Sequence, residues 1–233
     1  MCLAGQTLEL LPDRAAFWLE RGTLLVADCH FGKAASLRRH GLAVPEGATL
    51  DDLARLDGLL SRTGARRVVV VGDLFHAPSG YAAAVIDGLV AWRRRHALLP
   101  LVLAPGNHDR SLHLLPSELG IDTAGRTADD DPLVFVHDPA DVPEAGSDGG
   151  THAYVCGHLH PAVRVGDRRV RGASAPCFWL QGGRVLVLPS FGSFTGSVAV
   201  EPGDGDRIFA LAGGRVVEVP ARVLGIEPAI REK

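Results

Sequence analysis

An α/β fold follows from three features of the sequence. Four-residue apolar runs such as Val68-Val69-Val70-Val71 and Leu101-Val102-Leu103-Ala104 are continuous and short, as strands buried on both faces are. Stretches with apolar residues at helical spacing separate these runs, which builds strand, helix, strand units. Several runs stop abruptly at a residue able to bind metal or move a proton, and strand carboxyl ends of such sheets are where ligands gather.

The 233 residues are 46% hydrophobic, enough to bury a substantial core, and the expectation is one domain over residues 1–233. A formal charge of -3 gives no overall argument for a polyanionic partner, although local clusters among the 24 basic residues could supply one. Cys2, Cys29, Cys156 and Cys177 have no paired framework spacing, which points to a reducing compartment and hence the cytoplasm. There is no basic head with an apolar core at the N-terminus and no run of about 18 apolar residues, so neither export nor a membrane is expected.

In chain order, Gln6–Leu11 and residues 14–19 read as two strands around Pro12-Asp13, followed by the strand Leu24-Leu25-Val26-Ala27. A short helix through Ser36, Leu37 and Arg38 should stop at Gly41. Thr49 ahead of Asp51 and Asp52 is a helix start, with Leu50, Leu53, Leu56, Leu59 and Leu60 on one stripe and Gly64 at the end. After the Val68 strand, a helix over residues 81–96 turns Val85, Ile86, Leu89 and Val90 inward; Arg93-Arg94-Arg95 at its end suits the helix dipole better than nucleic acid. The Leu101 strand is followed by a helical piece over residues 111–119, bounded by Gly120. An acidic stretch, Asp129-Asp130-Asp131-Pro132, precedes the strand Leu133-Val134-Phe135-Val136, and residues 138–150 read as a long surface loop. After Ala153-Tyr154-Val155-Cys156 come short strands at residues 163–165, 177–180, 185–188, 197–200, 208–211 and 216–219.

Five of these strands stop at Asp28-Cys29-His30, Gly72-Asp73, Gly106-Asn107-His108-Asp109, His137 and Gly157-His158-Leu159-His160. Together they offer Asp28, His30, Asp73, Asn107, His137, His158 and His160, a set of oxygen and imidazole donors with no thiolate. That mixture suits two divalent ions of intermediate hardness, manganese, iron or zinc. Two ions need a shared ligand, and Asp73, alone at its strand end, is the natural bridge. Such a pair, about 3.5–4 Å apart, clamps a phosphoryl oxygen and acidifies water, so phosphoester hydrolysis is the expected chemistry. His108 can donate a proton or a hydrogen bond to an oxyanion.

In this order the five blocks resemble the signature of the calcineurin-like metallophosphoesterases. The resemblance implies a four-layer α-β-β-α sandwich of two mixed sheets with a dinuclear metal site at the strand carboxyl ends. It places Asp28, His30, Asp73 and His160 around one ion, and Asp73, Asn107, His137 and His158 around the other, with His108 serving the transition state or the leaving oxygen. Gly72-Asp73-Leu74-Phe75-His76 is similar to the second block of the metallophosphoesterase nucleases that repair DNA double-strand breaks, which makes His76 a catalytic candidate; the other reading of His76 is a loop histidine packed on the site.

Over about residues 8–196, further stretches resemble the bacterial ligase-associated DNA-damage-response endonucleases. They include Gly32-Lys33-Ala34, Cys156-Gly157-His158-Leu159-His160-Pro161 and Leu188-Pro189-Ser190-Phe191-Gly192. That resemblance implies manganese, with zinc or iron as alternatives, a DNA substrate, single-stranded in the first instance, and partnership with an ATP-dependent DNA ligase, a helicase and an exonuclease. A phosphomonoesterase or cyclic-nucleotide phosphodiesterase on the same centre is the competing enzyme reading, and an inactive scaffold subunit the competing non-enzyme one. Between two ligands, Cys29 should face the other way into the core, and Asp109 should orient the turn rather than bind metal. His40, His96, His113 and His152 read as ordinary surface or packing histidines. The Phe191 to Gly196 turn should pack its phenylalanines inward rather than stack a base.

Overall fold

The structure, a computed structural model, describes residues 1–123, 130–147, 149–165 and 173–220. Asp129 and Asp148, which belong to the acidic stretch and the long loop expected above, lie outside the described residues. Seven strands form the first sheet in chain order: β1 (Cys2–Leu3), β2 (Gln6–Leu11), β3 (Ala15–Trp18), β4 (Thr23–Val26), β5 (Arg67–Val71), β6 (Leu101–Ala104) and β7 (Ile121–Asp122). The first four are antiparallel neighbours, and β4 to β7 run parallel, connected through α2 (Ala48–Thr63) and α3 (Ala83–Arg95), with a short α1 (Lys33–Arg39) ahead of them.

The second sheet holds β8 (Leu133–Phe135), β9 (Ala153–Cys156), β10 (Pro161–Val165), β11 (Ala173–Gln181), β12 (Val185–Val187), β13 (Val198–Ala199), β14 (Arg207–Ala212) and β15 (Arg215–Val219). Its β8, β9 and β12 are parallel, while β11 pairs antiparallel with β10, β12 and β14. Both sheets are therefore mixed, as predicted.

Alternation along the central strands assembles the layers. Leu24, Val26, Val68, Val70, Leu101 and Leu103 face Leu53, Leu56, Leu59, Leu89 and Trp92 of the helices. Their neighbours Leu25, Val69, Val71 and Val102 face Leu133, Phe135, Val155, Phe178 and Leu186 of the other sheet. A side chain of this kind contributes about 1.5–3 kcal/mol when fully buried, so runs apolar at every position belong in the middle of such a stack. Helices α2 and α3 pack against the first sheet. The far side of the second sheet is covered more thinly: Val134, Tyr154, Cys156, Val185 and Val187 lie beneath Val136, Val142 and Leu159. No helix among the described residues is long and apolar enough to cross a membrane.

Several boundaries differ from expectation for local reasons. The second strand is Ala15–Trp18 rather than residues 14–19, because Arg14 takes a turn conformation at φ 64° and Leu19 is exposed. Helix α2 starts at Ala48, and Thr49 does not cap it; its hydroxyl accepts from the Gly32 amide at 3.1 Å. Leu50 is 52% exposed. At 3.6 residues per turn it sits about 120° from the middle of the arc formed by Leu53, Leu56, Leu59 and Leu60. The 81–96 helix is shortened to Ala83–Arg95, with Tyr81 closing a 3-10 turn. The expected helix over 111–119 is two 3-10 segments, Asp109–Leu114 and Ser117–Leu119, parted by Pro116, which has no N–H to continue a ladder. The strand expected at 197–200 shrinks to Val198–Ala199, and the short β1 and β7 were not anticipated.

At the end of the sheets where β5 and β8 begin, Arg67 forms a two-pronged ion pair with the fully buried Asp130, at 2.5 and 3.3 Å. This pair ties the first sheet to the segment entering the second. Asp130→Ala strands the guanidinium in a desolvated position and should lower unfolding stability by about 3–5 kcal/mol, read by urea titration. A loss below about 1 kcal/mol would show that the pair does not join the layers.

Candidate metal centre

Because β4, β5 and β6 are parallel neighbours, the residues after Val26, Val71 and Ala104 emerge side by side. The pairing continues past the strands: the Asp28 amide donates to the Gly72 carbonyl at 3.1 Å, and the His30 amide to the Asp73 carbonyl at 2.9 Å. In the second sheet the Gly157 amide donates to the His137 carbonyl at 3.0 Å. The sheets meet here, where Ala27 bridges Ser190 and the His137 Nδ1 lies 3.2 Å from the Val71 carbonyl.

Asp28, His30, Asp73, His158 and His160 all adopt positive φ, between 45° and 68°. Among the described residues only Ala4 and Arg14 do so besides glycine. Each such turn costs a non-glycine residue about 1–2 kcal/mol, so the donors are held in place against local backbone preference. Two glycines clear the space. A Cβ on Gly72, itself at φ 78°, would overlap the His137 ring, and one on Gly157 would lie 2.7 Å from the Val71 oxygen and 2.8 Å from Asp28 Oδ2.

All seven sequence-derived donors come together, in two groups that share Asp73. In the first, His30 Nε2 lies 3.3 Å from His160 Nε2 and 3.7 Å from Asp73 Oδ2, and His160 Nε2 lies 3.5 Å from Asp28 Oδ1. In the second, His137 Nε2 lies 3.4 Å from Asp73 Oδ2, 3.2 Å from Asn107 Oδ1 and 3.3 Å from His158 Nδ1. Donors about 2.1 Å from one ion at tetrahedral angles stand about 3.4 Å apart, so this spacing fits an ion in each group. With His137 Nδ1 against the Val71 carbonyl and His158 Nε2 against Asp138, the two neutral rings turn lone pairs toward each other, which suits a metal better than a mutual hydrogen bond, and the donor types suit a divalent cation.

Asp28 and Asp73 are 0% and 2% exposed. Burial opposes ionisation of Asp73, but His137 and the His108 amide, which donates to Oδ1 at 2.9 Å, hold its carboxyl down at about 2. Burial lowers His30 to about 3, against the pull of Asp73 and with His160 and Lys33 adding to the shift. His137 moves the other way: burial would lower it, but Asp73 raises it. His108 Nδ1 lies 2.6 Å from the His76 carbonyl, which leaves Nε2 facing Asp73 Oδ2 at 4.0 Å. The His76 ring stacks on His108 with centroids 5.2 Å apart, and burial together with Lys33 lowers its pKa.

Asp109 points away from the donors. It accepts from the amides of Gly106 at 2.9 Å and Leu74 at 3.0 Å, pinning the two ligand-bearing turns to each other. Cys29 is buried in the helix-side core, and burial pushes its thiol well above the usual range. Other positioning groups went unread in the sequence because nothing in their local pattern sets them apart. Asp138 Oδ2 lies 3.5 Å from His158 Nε2, and the Gly196 carbonyl 3.1 Å from His160 Nδ1; such partners orient the other ring nitrogen toward a metal.

The loop carrying Gly196 is itself strapped down. Arg14 donates to the Gly192 carbonyl at 3.3 Å, Asp52 accepts from the Ser193 amide at 3.2 Å, and Arg55 donates to the Phe191 carbonyl while lying 4.2 Å over its ring. Phe191 is fully buried and Phe194 is 38% exposed, so only the first phenylalanine packs inward as expected. Of the histidines set aside above, His96 pairs with Asp57 at 2.6 Å and His40 Nδ1 lies 2.8 Å from the Ser36 carbonyl.

No protein-family model matches this chain, and a search of curated proteins finds no match. Among solved structures, the Pseudomonas putida nuclease MPE aligns with 36% identity over 94% of this chain and 98% of its own, at a TM-score of 0.76. The chain belongs to the metallophosphoesterase family. The Escherichia coli phosphoesterase YfcE is 20% identical over 84% of this metallophosphoesterase and 97% of its own length, with a TM-score of 0.41, too distant to add to the argument. Membership makes the protein a metal-dependent ester hydrolase, consistent with the clustered aspartates and histidines of this metallophosphoesterase.

The shifts predict how the chelated metallophosphoesterase responds to pH. His30, lowered in the fold, takes up a proton on unfolding, so its contribution is lost as pH falls from about 6.5 toward 3, and His76 acts in the same direction. Asp73 adds a further loss below its unfolded value of about 3.8. His137 has the opposite sign, and its contribution is lost as pH rises through its raised pKa. Thermal unfolding with a chelator should therefore show Tm falling from pH 7 to pH 4, and added divalent ion should raise Tm more at pH 7 than at pH 5, where protons compete for the imidazoles. Equal ion-induced shifts at both pH values would exclude histidine ligation.

Proposed function

We propose that this protein is a dinuclear-metal phosphodiesterase that cuts DNA, single-stranded DNA first, as an endonuclease in DNA repair. The observation that carries the reading is the pair of donor groups sharing one carboxylate, Asp73, with the His108 ring facing the same carboxylate at 4.0 Å. Asp28, His30, Asp73 and His160 would hold one ion, and Asp73, Asn107, His137 and His158 the other. The mixed oxygen and imidazole set suits manganese, zinc or iron, and manganese comes first in this proposal because the resemblance of the motif blocks implies it. When bound, two such ions supply Lewis acidity to phosphoryl oxygens and acidify water at neutral pH.

The chain's own part is positioning and proton transfer. His108, with Nδ1 committed to the His76 carbonyl, can release a proton only from Nε2, and only as the imidazolium. Nε2 faces the centre, where it would donate to the leaving alkoxide. His76, kept neutral by burial and by Lys33, would form a flat wall beside His108 on the substrate side. Similarity to the Pseudomonas putida nuclease MPE supports a polynucleotide substrate. A cytoplasmic setting, which rests on the unpaired cysteine spacing, and partnership with an ATP-dependent DNA ligase, a helicase and an exonuclease, which rests on the resemblance of the motif blocks, belong to the same proposal.

Metal content and turnover test this together. Wild-type protein should take up two ions per chain and, with manganese, cleave bis-p-nitrophenyl phosphate and single-stranded DNA faster than mononucleotides. Asn107→Ala should retain about one ion, and Asp73→Asn, which weakens both groups, should lose activity on both substrates. His108→Ala should keep both ions and lose about 10²–10⁴ in kcat. Full activity in metal-free Asp73→Asn would exclude the mechanism.

A further inference from the structure

Beside the His137 and His158 end of the centre lies a cavity of about 450 Å³, within the range of small-molecule sites. Pro105 and Phe135 give it apolar walls, and Arg110 and Asp141 line it with opposite charges. Arg110 follows β6 in the 3-10 segment Asp109–Leu114, whereas Asp141 ends the turn Pro139–Asp141 beyond β8. Among the described residues neither side chain has a hydrogen-bond or ion-pair partner, although they share one cavity. The neighbouring Asp138 is already committed, with Oδ1 accepting from the Ala140 amide at 2.9 Å and Oδ2 set against His158.

An anion and N–H donors some distance apart satisfy both open charges, and a nucleotide with an amino-bearing base has both. Position adds a second constraint. His108 and His76 lie at the other end of the centre, with ring centroids 5.1 and 5.6 Å from that of His30. A phosphodiester lying across the two donor groups therefore sends one arm toward His108 and the other toward the cavity. If His108 protonates the departing oxygen, the arm in the cavity is the one that stays on phosphorus.

Resting on the phosphodiesterase reading above, we infer that this cavity is the subsite for the nucleoside on the retained side of the cleaved bond. Arg110 pairs with the next phosphate along the strand, and Asp141 accepts from an exocyclic amino group. Ionised carboxylates only accept, so adenine N6, cytosine N4 and guanine N2 suit Asp141, while thymine has no exocyclic amino group. The site would thus read its substrate at one position, and the contact to a further phosphate favours oligonucleotides over mononucleotides.

The test is equilibrium binding of trinucleotides with hydrolysis-resistant phosphorothioate linkages to manganese-loaded protein, varying one base at a time. In wild type, thymine at one end should bind about threefold to tenfold more weakly than cytosine or adenine, and Asp141→Asn should erase that difference. Arg110→Ala should weaken every trinucleotide by about tenfold and reduce the salt slope by about one phosphate contact. Flat base preference in wild type, or variants that bind as wild type does, overturns the subsite. Wild-type hydrolysis of bis-p-nitrophenyl phosphate on the same preparation separates the causes: turnover with flat preference removes the subsite alone, and no turnover removes the phosphodiesterase reading along with it.

Discussion

Two buried carboxylates, Asp28 and Asp73, stand among ring nitrogens that face one another at hydrogen-bonding distance without being good partners. Concentrating so many ionisable groups away from water is unfavourable unless something of opposite charge is shared among them. The rest of the molecule can be understood as what keeps them there. Parallel strands deliver the donors, glycines remove the side chains that would push the rings apart, and positive-φ turns aim residues in directions that a relaxed chain would avoid.

The scaffold tolerates those local costs because it is stiff. Alternate residues of β4, β5 and β6 are locked between helices on one side and a second sheet on the other, so the strand ends have little freedom to move apart. Asp109 adds a polar tie between two of the turns. At the opposite end of the strands the Arg67–Asp130 pair fixes the spacing of the layers. Stability is thus drawn from one end and the middle of the stack, which leaves the other end free to hold an arrangement that is unfavourable in itself.

Much of this was legible in the sequence because it is written in local pattern. A four-residue apolar run that stops at Asp, His or Asn announces both a buried strand and a donor, and Cys29 between two donors must face the core by the two-residue period of an extended chain. What escaped depends on distance in three dimensions. Thr49 has the chemistry of a helix cap, but the Gly32 amide, brought near only by the fold, takes its hydroxyl. Leu50 looks like part of a stripe until the helical angle is counted. Asp138 sits in a stretch that reads as loop, and no motif marks the Gly196 carbonyl, since a backbone oxygen has no sequence identity. Arg14, Asp52 and Arg55, which hold the Phe191 to Gly196 turn, are scattered and individually ordinary.

That strapped turn bears on how the protein is made. The Ser190 hydroxyl and the Gly192 amide both bond to the Asp28 carbonyl, 162 residues or more away along the chain, and Gly196 completes the setting of His160. Contacts of such separation form late, after the loops they close have already been ordered. A chain emerging from the ribosome exposes Asp28 and His30 long before residues 190–196, so a product truncated before the turn would lack the contacts that hold the Asp28 carbonyl and orient His160.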